Sequence, residues 1–429
     1  MSDGKMVTSA PRRMAKLGGL VGRVGASMVG ERLRDFARSD LDKKVQKTEA
    51  LVRNAKRIVE TLGEMRGGAM KVGQMLSLHE GLLPEEVASV LRALQKKAPA
   101  VPFEVIQYEI KGQIENYDDL FVYLEPEAFA AASIGQVHRA ELRDGRKVAV
   151  KVQYPAIDHI IRADLDNLRT IFKALFAMFS EIDFEPVWEE VRDRLLEEID
   201  YRREADNLRR MAELHADVPE VIVPRVIEEA SASGVLTMEF VEGIPGEVAC
   251  SDVYNQELKN RWGMALLELQ LRGLFQHRFL HADPNLANFA FAEDGRVIVY
   301  DCGCIKQPPE ALVGAYAANF LAVAEGRRQA LPEILFGIGV TKDGEPLPME
   351  LIDPYIDLLG EILRQDPPYS FGEDPDFYRK LGNLGMANLS EVRDVTFPRD
   401  VVFVDRSLGG HFGNLSKLRA TGPWRDLVL

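Results

Sequence analysis

Cysteine is scarce in this 429-residue chain: Cys250, Cys302 and Cys304 are the only three. Three thiols make no disulfide framework, which fits a reducing compartment. Cys302 and Cys304 make half of a metal-ligand pattern, but no further cysteine and no nearby histidine pair completes a zinc site. Positive charge is not in excess either. Against 53 lysines and arginines stand 67 aspartates and glutamates, a formal net charge of −14. That balance argues against broad nucleic-acid binding, and no nucleic-acid partner is expected. No uninterrupted apolar run reaches the roughly 18 residues of a membrane span. The nearest candidate, residues 17–29, is interrupted by Arg23. With no secretory leader pattern either, a cytoplasmic location is expected.

What is present is an ordinary globular composition, 46% hydrophobic and 28% charged, long enough for two or three lobes with their own cores. The chemistry concentrates in His281-Ala-Asp283-Pro-Asn-Leu-Ala-Asn288-Phe289, followed after a hairpin pattern by Tyr300-Asp301-Cys302-Gly303. Asn288 lies five residues beyond Asp283, and Asp301 lies eighteen beyond it. A phosphoryl-transfer loop of the H-x-D-x-x-x-x-N type needs this spacing. One carboxylate orients or deprotonates a nucleophile, while an amide and a second carboxylate hold Mg²⁺ against ATP phosphates. Oxygen donors suit Mg²⁺, which keeps several waters and takes few protein carboxylates. Asp283 is therefore the candidate catalytic residue, and Asn288 and Asp301 are the candidate metal ligands.

Upstream, residues 1–40 are basic and glycine-rich around Gly18–Gly25. Such a segment is either a loose tail or a strip that lies on an anionic membrane surface. Residues 42–66 repeat Leu51, Ala55, Ile58, Leu62 and Met65 at helical steps, and Gly67-Gly68 ends that helix. Lys71 and Gln74 follow, neighbours on one turn and, taken alone, a solvated pair. Helices are expected over 85–97 and 101–116.

Residues 119–153 switch to strands. Phe121–Leu124 leads to the small-residue run Ala130-Ala131-Ala132-Ser133-Ile134-Gly135-Gln136, whose backbone N–H groups are candidates to cradle phosphates. Alanine is stiffer than glycine, so altered nucleotide handling is expected there. Asp144-Gly145 marks a hairpin turn, and the next strand carries Val148-Ala149-Val150-Lys151, the arrangement of a phosphate-binding lysine. Such a lysine needs a helix carboxylate to hold it. Over an expected helix 186–213, Glu198, Asp200 and Glu204 are available, with Asp200 and Glu204 on one face. Strands over 221–229 and 235–240 lead to a hinge in which backbone groups from Glu239 to Val241 are positioned for adenine. A long apolar helix, 255–279, delivers the chain to His281. The rest is mainly helical: 309–325, 330–337, 348–364, 377–387 and 398–419.

Taken in order, Lys71-Val-Gly-Gln74, the 130–138 run, Val148–Lys151, Glu198-Ile-Asp200 with Arg203-Glu204-Ala205, His281–Phe289 and the Arg406–Ala420 end resemble the UbiB family of atypical protein-kinase-like proteins, the aarF-domain family. The resemblance covers about residues 45–420. It implies an α+β, protein-kinase-like two-lobe fold, with a small β-rich N-lobe, a helical C-lobe and a family-specific helical N-terminal extension. The corresponding segments are a tail over 1–41, the extension over 42–117, the N-lobe over 118–241 and the C-lobe over 242–429.

By the same resemblance, the K-x-G-Q segment covers the site where a protein substrate would enter. Lys71 and Gln74 would meet Glu198 and Asp200, and Glu204 would pair with Lys151. The family implies ATP and Mg²⁺ as cofactors and ATP hydrolysis rather than protein phosphorylation. It also implies prenyl-lipid or quinone-biosynthesis components as partners, in support of ubiquinone or related prenyl-lipid biosynthesis. Contact with the membrane would be peripheral, on its inner face. Two features depart from the family: Cys302 stands where the usual Asp-Phe-Gly has its Phe, and Arg23 interrupts the anchoring region. Two other readings use the same ligands: a nucleotide-gated lipid- or partner-binding protein with little turnover, and a conventional protein kinase.

Overall fold

The computed structural model describes residues 101–428, apart from 133, 180–183, 365–367, 374–376, 378–379 and 381–394. The expected helices over 42–66 and 85–97 lie outside the described residues, as does nearly all of 377–387. The described chain forms two compact units. One holds residues 101–201 with 228–237; the other holds 202–227 with 238–428.

The first unit opens with helix α1, Phe103–Gln113, whose Ile106 and Ile110, four residues apart, are fully buried. A one-turn helix then leads to an antiparallel sheet of β1 (Phe121–Leu124), β2 (Ala130–Ala132), β3 (Gly135–Leu142), β4 (Lys147–Gln153) and β6 (Val235–Glu239). The order is β1-β3-β4-β6, with β2 also paired to β3. β3 and β4 join through Asp144-Gly145, where Gly145 takes φ +86°, a conformation open to glycine. β4 is a central strand, so Val148, Val150 and Val152 are all fully buried. Helices α2 (Ile157–Phe179) and α3 (Phe184–Glu198) follow and pack on each other.

The second unit begins with α4, Tyr201–Leu214, from Arg202 onward. The expected single helix over 186–213 is therefore two helices, broken at Ile199-Asp200. In a continuous helix the Tyr201 N–H would bond four residues back. Here it donates to the Ser233 carbonyl at 3.3 Å. The expected strand over 221–229 shortens to β5, Val221–Ile222, because Pro224 has no N–H to continue a ladder. β5 joins β7 (Ile244–Pro245), β9 (Phe289–Phe291) and β10 (Val297–Val299) in the order β5-β10-β9-β7.

Helix α5, Gln256–Leu271, is buried almost all round, as its leucines require. It ends in a π-turn over Arg272–Gln276, short of the expected 279. There the chain doubles back, and Phe279 N–H donates to Gly273 O at 2.7 Å. The strand pair β8 (Leu280–His281) and β11 (Ile305–Lys306) follows. The remaining helices are α6 (Glu310–Ala324), α7 (Leu331–Gly337), α8 (Met349–Leu363) and α9 (Arg399–Leu418). α9 packs along α5 and ends where Arg419 turns left-handed, φ +52°.

Candidate functional site

In the first unit the small-residue run is a hairpin. Ala130 pairs with Val137, Ala131 with Gln136 and Ala132 with Gly135. Ala130 and Ala131 are exposed and Ala132 is half-buried, while Ile134 is 1% exposed. Ser133 lies outside the described residues. The alanines leave the backbone open to an approaching ligand. Gly135 has a different reason to be glycine: a Cβ there would fall 2.1 Å from the Val152 carbonyl oxygen.

The side chain of Gln136 is directed into the protein. Its Oε1 accepts from Val101 N–H at 2.6 Å, and its Nε2 lies 3.3 Å from His138 Nε2. An amide nitrogen only donates, so His138 Nε2 accepts and His138 Nδ1–H donates to Glu125 O at 2.8 Å. Only the backbone of Gln136 is then on offer to a nucleotide.

Lys151 sits opposite Val137 on β4 and is half-buried. Its ammonium lies over the ring of Tyr201, 5.0 Å from the centroid, with Tyr201 only 1% exposed. A buried aromatic face under an ammonium is an electrostatic anchor. Two residues along, Gln153 Nε2 donates to Ile199 O at 2.8 Å. That bond holds the link between Glu198, half-buried at the end of α3, and exposed Asp200. Gly234 N–H donates to Gln113 Oε1 at 2.8 Å, and Gly234 O accepts from Gln153 N–H at 3.0 Å, which ties α1 into the same junction.

In the second unit Asp283, Asn288 and Asp301 stand on one framework. β8 and β11 pair His281 with Ile305, and Ala282 N–H donates to Cys304 O at 2.9 Å. His281 Nε2 lies 2.7 Å from the Asp301 carbonyl, which only accepts, so Nε2 carries the proton. The eighteen-residue interval is taken up by the β9–β10 hairpin, where Phe289 pairs with Val299 and Gly295 turns at φ +94°.

Within the loop, Asp283 Oδ1 accepts from Asn285 N–H at 3.2 Å, and Asn285 Oδ1 accepts from Ala287 N–H at 3.1 Å. Asn288 Nδ2 donates to Asp283 O at 3.3 Å, which fixes the amide and turns its oxygen the other way. Asp301 Oδ1 accepts from Gly303 N–H at 2.8 Å. Asp283, Asn288 and Asp301 are all half-buried, within reach of a solvated ligand. The donor set, one amide oxygen and one carboxylate with room for water, fits Mg²⁺. Among the described residues no group of three His, Cys, Asp or Glu side chains is placed to hold a metal ion.

Glu204, 3% exposed, lies in the first turn of α4, where the helix dipole favours its charge. A Cβ at Gly303 would lie 3.1 Å from Asp301 Oδ1 and 3.9 Å from Glu204 Oε2, so the two carboxylates border the same glycine. Asn207, three residues beyond Glu204, donates from Nδ2 to Cys302 O at 2.9 Å. Cys302 itself is fully buried.

At the expected hinge, Glu239 N–H donates to Arg225 O at 2.9 Å and Val241 O accepts from the Tyr300 hydroxyl at 2.5 Å. Burial, with Glu242 adding, pushes the Tyr300 hydroxyl up to about 12, so it stays a donor at neutral pH. Lys71 and Gln74 lie outside the described residues. Tyr201, Gln153 and Asn207 are the residues that motif reading passed over. The signals were available: an aromatic directly after Glu198-Ile-Asp200, and polar residues next to each motif.

The small sheet with a strand lysine and the loop of Asp283, Asn288 and Asp301 define a protein of the kinase-like class. Residues 93–335 match the ABC1 atypical kinase-like domain, and the chain belongs to that family, as the UbiB resemblance implied. It is 31% identical, over 97% of its length, to "Atypical kinase coq-8, mitochondrial" of Caenorhabditis elegans, and spans 55% of that protein. To "Atypical kinase COQ8B, mitochondrial" of Rattus norvegicus it is 32% identical over 99% of its length, spanning 80% of the rat protein. The solved structure of Rv3197 from Mycobacterium tuberculosis, in complex with erythromycin, is similar with a TM-score of 0.65 and 28% identity. That match covers 90% of this chain and 97% of the other. Among the described residues no helix is long and apolar enough to cross a membrane.

Proposed function

We propose that the chain binds Mg-ATP and hydrolyses it slowly, in support of ubiquinone or related prenyl-lipid biosynthesis. The observation that carries this reading is the zipped loop, in which the His281–Asp301 bond fixes the Asp283, Asn288 and Asp301 backbone together. Phosphoryl transfer needs little covalent help from a protein; positioning and charge neutralisation supply the rate.

Lys151, anchored on Tyr201, neutralises phosphate charge. Backbone groups of the Ala130–Gln136 hairpin approach the phosphates, and those of Glu239–Val241 meet adenine. Asn288 and Asp301 hold Mg²⁺, which when bound offsets the charge developing on the phosphate oxygens. Asp283 orients the attacking water. The Lys71–Gln74 segment, against Glu198 and Asp200, excludes a protein substrate, and the basic N-terminus touches an anionic membrane surface.

The test is thermal stabilisation of the full chain by ATP with and without Mg²⁺, followed by turnover with and without anionic vesicles. Mg²⁺-dependent stabilisation together with measurable hydrolysis is the expected outcome. Stabilisation without turnover in either condition replaces the enzyme with a nucleotide-gated binder. No stabilisation at all overturns the reading.

A further inference from the structure

The loop around Asp283 is held from one face of α9. Ser407 Oγ donates to His281 O at 2.9 Å, and Asn414 Nδ2 donates to Pro284 O at 2.7 Å. These carbonyls lie two residues before and one residue after Asp283. Between the two donors, Gly410 admits the Pro284 ring: a Cβ there would lie 2.2 Å from Pro284 Cγ. Residues 407, 410, 411 and 414 are spaced to share one helical face.

The remaining one, His411, is 1% exposed, and neither of its ring nitrogens has a hydrogen-bond partner. It stands edge-on to His281, ring centroids 6.5 Å apart, and edge-on to Phe289 at 5.7 Å. His281 is 2% exposed. Its Nε2 serves the Asp301 carbonyl, and its Nδ1 is a buried acceptor with no partner. A neutral His411 must carry an N–H on one nitrogen. A buried donor and a buried acceptor therefore lie on neighbouring rings, each costly to leave unmade. Ring nitrogens sit about 1.2 Å from their centroids, so nitrogens on rings 6.5 Å apart come no closer than about 4 Å. That lower bound excludes a direct bond, and the link open to the two rings is a bridging water.

We propose that His411 is a positioning residue for the catalytic loop: its N–H, through one buried water, holds His281 Nδ1 as an acceptor and so keeps the Nε2–H on the Asp301 carbonyl. The C-terminal helix then sets the loop twice, through the carbonyls beside Asp283 and through the tautomer of His281. The positioning role rests on the proposed ATP turnover; the water-bridged contact does not.

The test uses the full chain with its seven histidines labelled at the ring nitrogens, compared with His411→Phe, which keeps an edge-on ring, and His411→Gln, which restores a donor. The wild-type chain should show His281 protonated at Nε2 with Nδ1 hydrogen-bonded. In His411→Phe the Nδ1 resonance should move toward that of a bare lone pair. The same variant should lower kcat about tenfold with the KM for ATP within about twofold, and His411→Gln should recover most of the loss. Melting curves establish that each variant is folded.

An unmoved Nδ1 resonance in folded His411→Phe overturns the bridge. A moved resonance with unchanged kcat overturns the positioning role. A wild-type chain that turns over no ATP defeats the functional reading alone, because the resonance is read without nucleotide.

Discussion

The two units hold their candidate residues by different means. In the first, the Ala130–Gln136 hairpin and Lys151 sit on strands that neighbour one another in sequence, and their register alone lines them up. In the second, the Asp283 loop is short and irregular. It is fixed by groups distant in the chain: Asn207 on Cys302, Ser407 on His281 and Asn414 on Pro284, 95, 126 and 130 residues apart. A sheet carries its own precision. A loop borrows it from helices far away in the chain.

Breaking the metal set should have the largest effect. Asp301→Ala removes a carboxylate from the proposed Mg²⁺ site. It should cut turnover at least about a hundredfold and erase the Mg²⁺-dependent part of ATP stabilisation in a thermal-shift assay.

The two close-packed glycines then separate the units. Gly135→Ala drives a Cβ against a backbone carbonyl, which has nowhere to go. It should cost about 2 to 3 kcal/mol in denaturant melts. Gly410→Ala meets a proline ring on the loop instead, and replacing a helix glycine returns up to about 1 kcal/mol of helix propensity. Its melting point should change little while kcat falls about tenfold. Equal stability losses in both variants would remove the distinction drawn between sheet and loop.

A smaller effect belongs to Tyr201. If its ring anchors the Lys151 ammonium, Tyr201→Leu should raise the KM for ATP about fivefold, the worth of a partly buried cation–π contact. Tyr201→Phe should stay near wild type, since the ring face is kept. A Phe variant as weak as the Leu variant points to the hydroxyl instead.

The smallest effect is in pH. Burial holds His411 well below the usual imidazole value, with His281 adding to that, and burial also lowers His215. Both bind a proton more readily when unfolded. Stability is therefore complete above about pH 6.5 and should fall as pH drops below it. His411→Gln should flatten that slope in melts run between pH 7.5 and 5.

Much of this was legible in the chain itself, and what was legible was local. Asp144-Gly145 marks the β3–β4 turn, V-A-V-K reads as a strand, and the spacing from Asp283 to Asp301 encloses the hairpin that closes the loop. What was hidden depends on partners far away. Nothing in the helical pattern over 186–213 announces the break at Ile199-Asp200, because Ser233 and Gln153 make it. Gln136 stands in the run for its backbone N–H, and the run says nothing of where its side chain goes. Its side chain is directed to His138 and Val101 by strand alternation, which composition does not reveal. His411 lay in a helix recognised as such, but its meaning comes only from His281 against it.

The most direct measurement is ATP hydrolysis by Asp283→Asn beside the wild-type chain, in Mg²⁺ and with anionic vesicles. The substitution keeps the size of the side chain and its capacity to accept from Asn285 N–H, so the fold and Mg-ATP stabilisation should survive. Turnover should fall at least about a hundredfold. A folded variant that hydrolyses ATP at the wild-type rate contradicts the role given to Asp283, and with it the view that the loop from His281 to Asp301 is the catalytic centre.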